Sequence, residues 1–245
     1  TWYYGYVIML LSEYVMETGD DSVVPGLRRL ALSSEDETVT RRRILAEPLP
    51  EHVQEALARV ARVVRGPLAV RSSSLLEDSY YQPFAGIFDT HFLPNNHPSL
   101  EARLQRLLAA VKLIYASVYF RNAKNYTQAT GNRTEEEKMA VIIQHLVGEQ
   151  YGQYFYPAIS GVAQSHNYYP FAKMKPEEGI ATVALGLGKT VMEGEKALRF
   201  SPKYPQLLPQ RSTVDDILEN SQQFFYALNM AGDTPEVGIL EDANL

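Results

Sequence analysis

The chain has 245 residues, of which 45% are hydrophobic and 21% charged, a balance that fits a soluble globular protein with a sizeable core and excludes overall disorder. Its formal charge of −6 excludes a general nucleic-acid binder, which needs a basic face to neutralise phosphates, so any phosphate site must be local. The absence of cysteine excludes disulfides and thiolate metal sites, and a reducing cytoplasm is the simplest setting.

Single cores stop growing near ~250 residues, so this length suits one large domain or two smaller subdomains around a cleft. Residues 1–16 are apolar but interrupted by Glu13. They are shorter than the ~20 residues of a membrane span and read as core, helix or strand. Residues 20–47 are charged and broken by Pro25 and Gly26. Pro48-Leu49-Pro50 then marks a helix start. Val53, Leu57, Val60 and Val64 recur at three- and four-residue steps and predict a helix from Glu51 to Val64, ended by Gly66-Pro67. Leu68-Ala69-Val70 predicts a short strand delivering a polar loop, with Arg71 where the strand ends. A second long helix is expected from about Ser99 to Tyr126, along the stripe of Leu100, Leu104, Leu107, Leu108, Val111 and Ile114.

The second half changes character. Met139–Val147, Ile159–Ala163 and Ile180–Leu185 are short and rich in β-branched residues, which predicts three strands. Ser212 or Thr213, followed three residues later by Asp215 or Asp216, opens a last helix through Ile217, Phe224, Phe225 and Leu228. Helices, then strands, then a closing helix predict an α+β architecture. The chain starts on an apolar segment and stops at Ala243-Asn244-Leu245 without an end signal, as expected of a fragment.

Residues 67–90 carry the most chemical information. Arg71 keeps its charge at any working pH, its planar fork suits phosphate oxygens, and Ser72, Ser73 and Ser74 place hydroxyl and backbone donors beside it. The plainer alternative is an ion pair from Arg71 to Glu77 or Asp78 with the serines capping a turn. Ala140 to Val147 reads either as a core strand with a polar end or as an extended segment that offers its backbone to a ring edge. Gly186-Leu187-Gly188-Lys189-Thr190 reads as a glycine turn leaving a strand. It is not the end of a P-loop, because Val183 stands five residues before Gly188 where glycine is required. Val191 likewise breaks the dinucleotide fingerprint.

Taken together, Ala69-Val70-Arg71-Ser72-Ser73, then Glu77-Asp78, then Phe84-Ala85-Gly86 resemble the signature of the ATP-binding domain of the phosphoenolpyruvate synthase and pyruvate phosphate dikinase family. The resemblance continues in register. Tyr115-Ala116-Ser117-Val118-Tyr119 is similar to a family helix segment, Ala140–Val147 to the adenine-pocket strand, Ser160-Gly161-Val162-Ala163 to a Ser-Gly-Val-Met turn, and Ala184–Val191 with Gly194 to a Gly-Leu-Gly-Glu segment. It covers roughly residues 48–205 and departs from the family at Asn122, Lys189 and Ser201, where arginine, glutamate and glutamine are usual. Nothing in residues 1–30 matches the family's N-terminal lysine segment.

The resemblance implies an ATP-grasp-like fold in which two α+β subdomains hold ATP and magnesium. The expected organisation is an N-terminal segment over 1–47, the nucleotide-binding region over 48–205, and a helical segment over 206–245 packed on it. Arg71 with Ser72 and Ser73 is then expected at the phosphates, as are Gly186, Gly188 and Lys189, while Gln144, Leu146 and Val147 line the adenine pocket. Glu193 is the expected substitute metal ligand, since an ammonium at Lys189 repels magnesium. Family members pass a phosphoryl group from ATP to a histidine on a mobile domain and on to pyruvate on a third domain. Neither domain fits in the remaining residues. The rival readings are a relative that has lost catalysis and keeps a regulatory or structural role, and a dikinase with another acceptor.

Overall fold

The computed structural model describes residues 37–74, 88–121, 123, 125, 139–192 and 194–231. The chain divides into two compact units, one running to Leu146 and the other from Val147 to Ala231.

In the first unit, helix α1 (Glu37–Ala46) occupies part of the stretch read as charged and broken. Glu37 and Arg41, one turn apart, pair at 3.0 Å and support a helix whose composition is otherwise polar. Helix α2 (Glu51–Val63) starts directly after Pro50, as expected, and buries Val53, Leu57 and Ala61. Strand β1 (Leu68–Ser74) is the centre of an antiparallel sheet, flanked by β2 (Thr90–Leu93) and β3 (Met139–His145). Helix α3 (Leu100–Ser117) packs on α1, α2 and β1. Its first turn is capped by Ser99 Oγ, which accepts from the Ala102 N–H. Val53, Leu57, Leu107, Val111 and Ile114 from the helices close over Val70, Val141 and Ile143 from the sheet, so apolar burial holds the helices to one sheet face.

Two expectations change here. Arg71 is not at a strand end, because β1 continues to Ser74. Strand β3 supplies ladder partners along the whole length, from Leu68 opposite His145 to Ser74 opposite Met139. A polar run stays extended where a partner strand satisfies its backbone. Helix α3 stops at Ser117, short of Tyr126, because the Ser117 hydroxyl donates to Ile114 O at 2.7 Å. The Tyr119 and Phe120 N–H groups also bond only three residues back. Arg121, Ala123 and Asn125 are again helical.

The second unit holds two small antiparallel sheets. Strands β4 (Glu149–Tyr151) and β5 (Tyr154–Tyr156) form a hairpin whose turn uses Gly152 at φ +64°. Strands β6 (Ser160–Gln164), β7 (Ile180–Ala184) and β8 (Leu198–Phe200) form the second sheet, in that order. The one-turn helix α4 (Lys189–Met192) packs on β7 and β6. Helix α5 (Val214–Asn220) opens on a reciprocal cap in which Thr213 Oγ1 accepts from Asp216 N and Asp216 Oδ2 accepts from Thr213 N.

The closing helix is shorter than the spacing of Phe224, Phe225 and Leu228 predicts. Ser221 Oγ and Asn220 Nδ2 donate to the carbonyls of Ile217 and Asp216, which ends the helix. Beyond it the chain is extended, and Leu228 belongs to strand β9 (Leu228–Asn229), paired with β5. The three strands expected in this half lie within two residues of their predicted ends. Strands β4, β5, β8 and β9 are additional, each too short to show a period in the sequence.

Candidate functional site

Side chains alternate across β1. Leu68, Val70 and Ser72 are buried on the helix-covered side, and Ala69, Arg71 and Ser73 take the other. In the ladder, Ala69 lies opposite Gln144, Arg71 opposite Ile142 and Ser73 opposite Ala140, while Arg71 also faces Thr90 of β2. Opposed residues share a face, so Arg71, Ser73, Gln144 and Thr90 form a polar group on the side of the sheet away from α2 and α3. Arg71 is exposed. Among the described residues its guanidinium has neither a hydrogen bond nor an ion pair. Ser72, next to it in sequence, points the other way and is 3% exposed. Glu77, Asp78, Phe84, Ala85, Gly86 and Asn122 lie outside the described residues.

Strand β3 carries the next three predicted residues past its end. Gln144 is half-buried, Leu146 is half-buried with its N–H donated to Pro67 O at 2.9 Å, and Val147 is exposed. Arg71, Ser72, Ser73, Gln144 and Leu146 therefore belong to the first unit, and Val147 to the second.

The second unit also holds the glycine turn between β7 and α4. Gly186 sits at φ +87°, and a Cβ there would stand 2.6 Å from Tyr226 O, so both conformation and space require glycine. Gly188 meets nothing within 4 Å of a built Cβ. The turn is strapped by the segment after α5. Gln222 accepts from Leu185 N at 2.8 Å and donates to Leu185 O at 2.9 Å, and Leu187 N donates to Tyr226 O at 2.8 Å.

Lys189, half-buried, holds its Nζ 4.9 Å from the centre of the Tyr226 ring. The Tyr226 hydroxyl donates to Glu195 Oε1 at 2.7 Å. Among the described residues, Glu195 Oε2 and Thr190 Oγ1 are buried without a hydrogen-bond partner. Ser201 is 1% exposed, and its Oγ likewise has no partner among the described residues. Glu193 lies outside the described residues. Tyr226, Glu195 and Gln222 escaped the sequence reading. Tyr226 closes the aromatic run Phe224-Phe225-Tyr226, which helical spacing had absorbed, and the usable signal was Glu195 directly after Gly194.

No group of three or more His, Cys, Asp or Glu side chains gathers among the described residues. No described helix is long and apolar enough to cross a membrane. A family model described as pyruvate phosphate dikinase, AMP/ATP-binding domain, matches residues 13–242. No curated protein matches the chain.

Proposed function

The chain belongs to the pyruvate phosphate dikinase AMP/ATP-binding domain family, an α+β nucleotide-binding family, and from that premise we propose that it is the ATP-grasp-like part of a dikinase that passes a phosphoryl group of ATP to a histidine on another domain. The observation that carries the reading is Arg71, a permanent cation on the sheet face away from α2 and α3, whose side chain has no partner among the described residues. Phosphoryl transfer needs positioning and charge stabilisation more than covalent help from the protein. In this reading Arg71 contributes a two-pronged phosphate contact, assisted by Ser73 and, through its backbone, Ser72. The turn of Gly186, Gly188 and Lys189 is the phosphate subsite of the second unit, with Lys189 as a point charge.

Gln144, Leu146 and Val147 are the proposed adenine strand. Pro67 already takes the Leu146 N–H, so this residue offers its carbonyl, which suits the exocyclic amine of adenine and opposes the carbonyl that guanine carries there. Magnesium bound with ATP neutralises phosphate charge, and it is held through one or two carboxylates plus the phosphates rather than in an all-protein cage. Glu195, with one buried and unpartnered carboxylate oxygen, fits that requirement, alongside Glu193.

Lys189, seated over Tyr226 where the family has a carboxylate, favours a second reading of the same fold as a catalytically silent nucleotide binder. Titration of ATP and GTP into the intact parent protein, followed by an assay for acid-labile phosphohistidine, separates the two. Tighter ATP binding with labelled histidine supports the dikinase. ATP binding without label supports the silent binder, and equal weak binding of both nucleotides removes the adenine assignment. The Lys189→Glu variant of the parent adds a direct comparison. An active parent with a dead variant makes Lys189 a working phosphate contact.

A further inference from the structure

We propose that Tyr226 is a positioning residue that holds the Lys189 ammonium for a nucleotide phosphate, with Glu195 fixing the Tyr226 ring. The proposal rests on the reading of the Gly186–Lys189 turn as a phosphate subsite. Three contacts converge on this tyrosine. Its ring lies 4.9 Å from Lys189 Nζ, within the range in which a ring face attracts a cation. Its hydroxyl donates to Glu195 Oε1 at 2.7 Å, and its carbonyl accepts from Leu187 N at 2.8 Å inside the turn. The Glu195 N–H in turn donates to Thr190 O at 3.0 Å, so the Glu195 backbone is tied to the residue that follows Lys189.

A free lysine carries four flexible carbon–carbon torsions, and each must be ordered when the ammonium meets a phosphate. A ring already seated under the ammonium removes part of that loss before the nucleotide arrives. The geometry also explains why Glu195 is needed. A phenol whose hydroxyl is anchored by a carboxylate cannot swing its ring away from Lys189, and hydrogen bonding to that carboxylate enriches the ring in electron density and strengthens its pull on the cation. Tyr226 thereby touches a positive side chain with its ring and a negative one with its hydroxyl.

Calorimetric titration of the intact chain with ATP, across Tyr226→Leu, Lys189→Ala and the double variant, tests the proposal. Tyr226→Leu is expected to weaken ATP binding about threefold to tenfold, the scale of a cation–ring contact. The same change made on Lys189→Ala is expected to cost nothing further, because the contact is already gone. Tyr226→Phe keeps the ring but loses the Glu195 anchor, and its affinity is expected to fall between those of the unchanged chain and Tyr226→Leu; full affinity in Tyr226→Phe overturns the role of Glu195. In the free protein the Lys189 ε-methylene proton signal is expected upfield of the other lysines, and the shift disappears in Tyr226→Leu. Should Tyr226→Leu fail to fold, Tyr226→Met replaces it in both measurements.

Losses that multiply in the double variant, or a Lys189 signal without a ring shift, overturn the positioning role even while Lys189→Ala still weakens ATP. If Lys189→Ala leaves ATP affinity unchanged, the turn is not a phosphate subsite, and the role of Tyr226 falls with it.

Discussion

The Arg103 guanidinium donates to the carbonyl of Ala61 at 3.1 Å, in a place where the arginine is only 2% exposed. Ala61 lies in the last turn of α2, whose carbonyls have no partner within the helix, so a residue of α3 caps its neighbour. The same side chain donates to His97 O at 2.7 Å. Arg103→Leu strips a charged donor from these carbonyls and is expected to lower stability by roughly 2–4 kcal/mol in urea unfolding. Arg103→Lys should fall between, because one ammonium cannot reproduce the fork that reaches both. A loss below about 0.5 kcal/mol for the leucine variant would mean that water replaces the cap.

Arg71 behaves in the opposite way, since it is exposed and has no partner among the described residues. Arg71→Ala should leave the melting temperature nearly unchanged. ATP affinity should fall about 10- to 100-fold, the range for losing a charge-assisted bond of ~1.5–3 kcal/mol. Calorimetry beside thermal unfolding reads both quantities, and an unchanged dissociation constant rejects the phosphate contact.

The two glycines of the turn separate structure from binding. Gly186→Ala places a Cβ 2.6 Å from Tyr226 O at a φ of +87°, which should cost more than about 1 kcal/mol and displace the strap. Gly188→Ala finds open space and no positive φ, so its stability should hold within about 0.5 kcal/mol. Weakened ATP binding by a fully stable Gly188→Ala would then report steric exclusion of the ligand itself. Urea unfolding and nucleotide titration on both variants make the comparison.

His91 of β2 faces the core opposite Val70, 1% exposed, and neither ring nitrogen has a partner among the described residues. Burial, helped by the charge of Arg41, pushes it from 6.5 down to about 4. The unfolded chain therefore binds a proton that the folded one refuses between these values, and stability falls as pH drops from about 6.5 towards 4. The gap corresponds to ~3 kcal/mol when complete. His91→Leu should flatten this part of the pH–stability curve, leaving only the slope contributed by carboxylates. Parallel curves for the two proteins in urea would show that His91 is not the group responsible.

Much of the first unit was legible because its helices bury regular stripes. Val53 and Leu57 recur at helical spacing and both lie in the core, so period and burial agree. The polar half of β1 was harder. Arg71, Ser72 and Ser73 look like one polar loop in sequence, and only the ladder with β3 turns Ser72 to the core and leaves the other two outside. In the second unit the strands of two or three residues carry no period at all. The placement of Tyr226 depends on pairings by Gln222 and Leu187 that join residues 37 and 39 positions apart or more closely folded turns, contacts that local spacing does not encode.

Strand β1 is written in two interleaved scripts. Positions 68, 70 and 72 spell the side that faces the helices, positions 69, 71 and 73 spell the opposite side, and both share one backbone. Substitutions can edit the outer script one letter at a time while the inner one keeps the helices in place. Losing or gaining a single residue within 68–74 is a different event, because every downstream letter changes script at once. One residue gained before Val70 would turn Arg71 towards the helices and Val70 to the opposite face. Natural variation in this strand should therefore consist of replacements, with insertions and deletions confined to the segments before Leu68 and after Ser74.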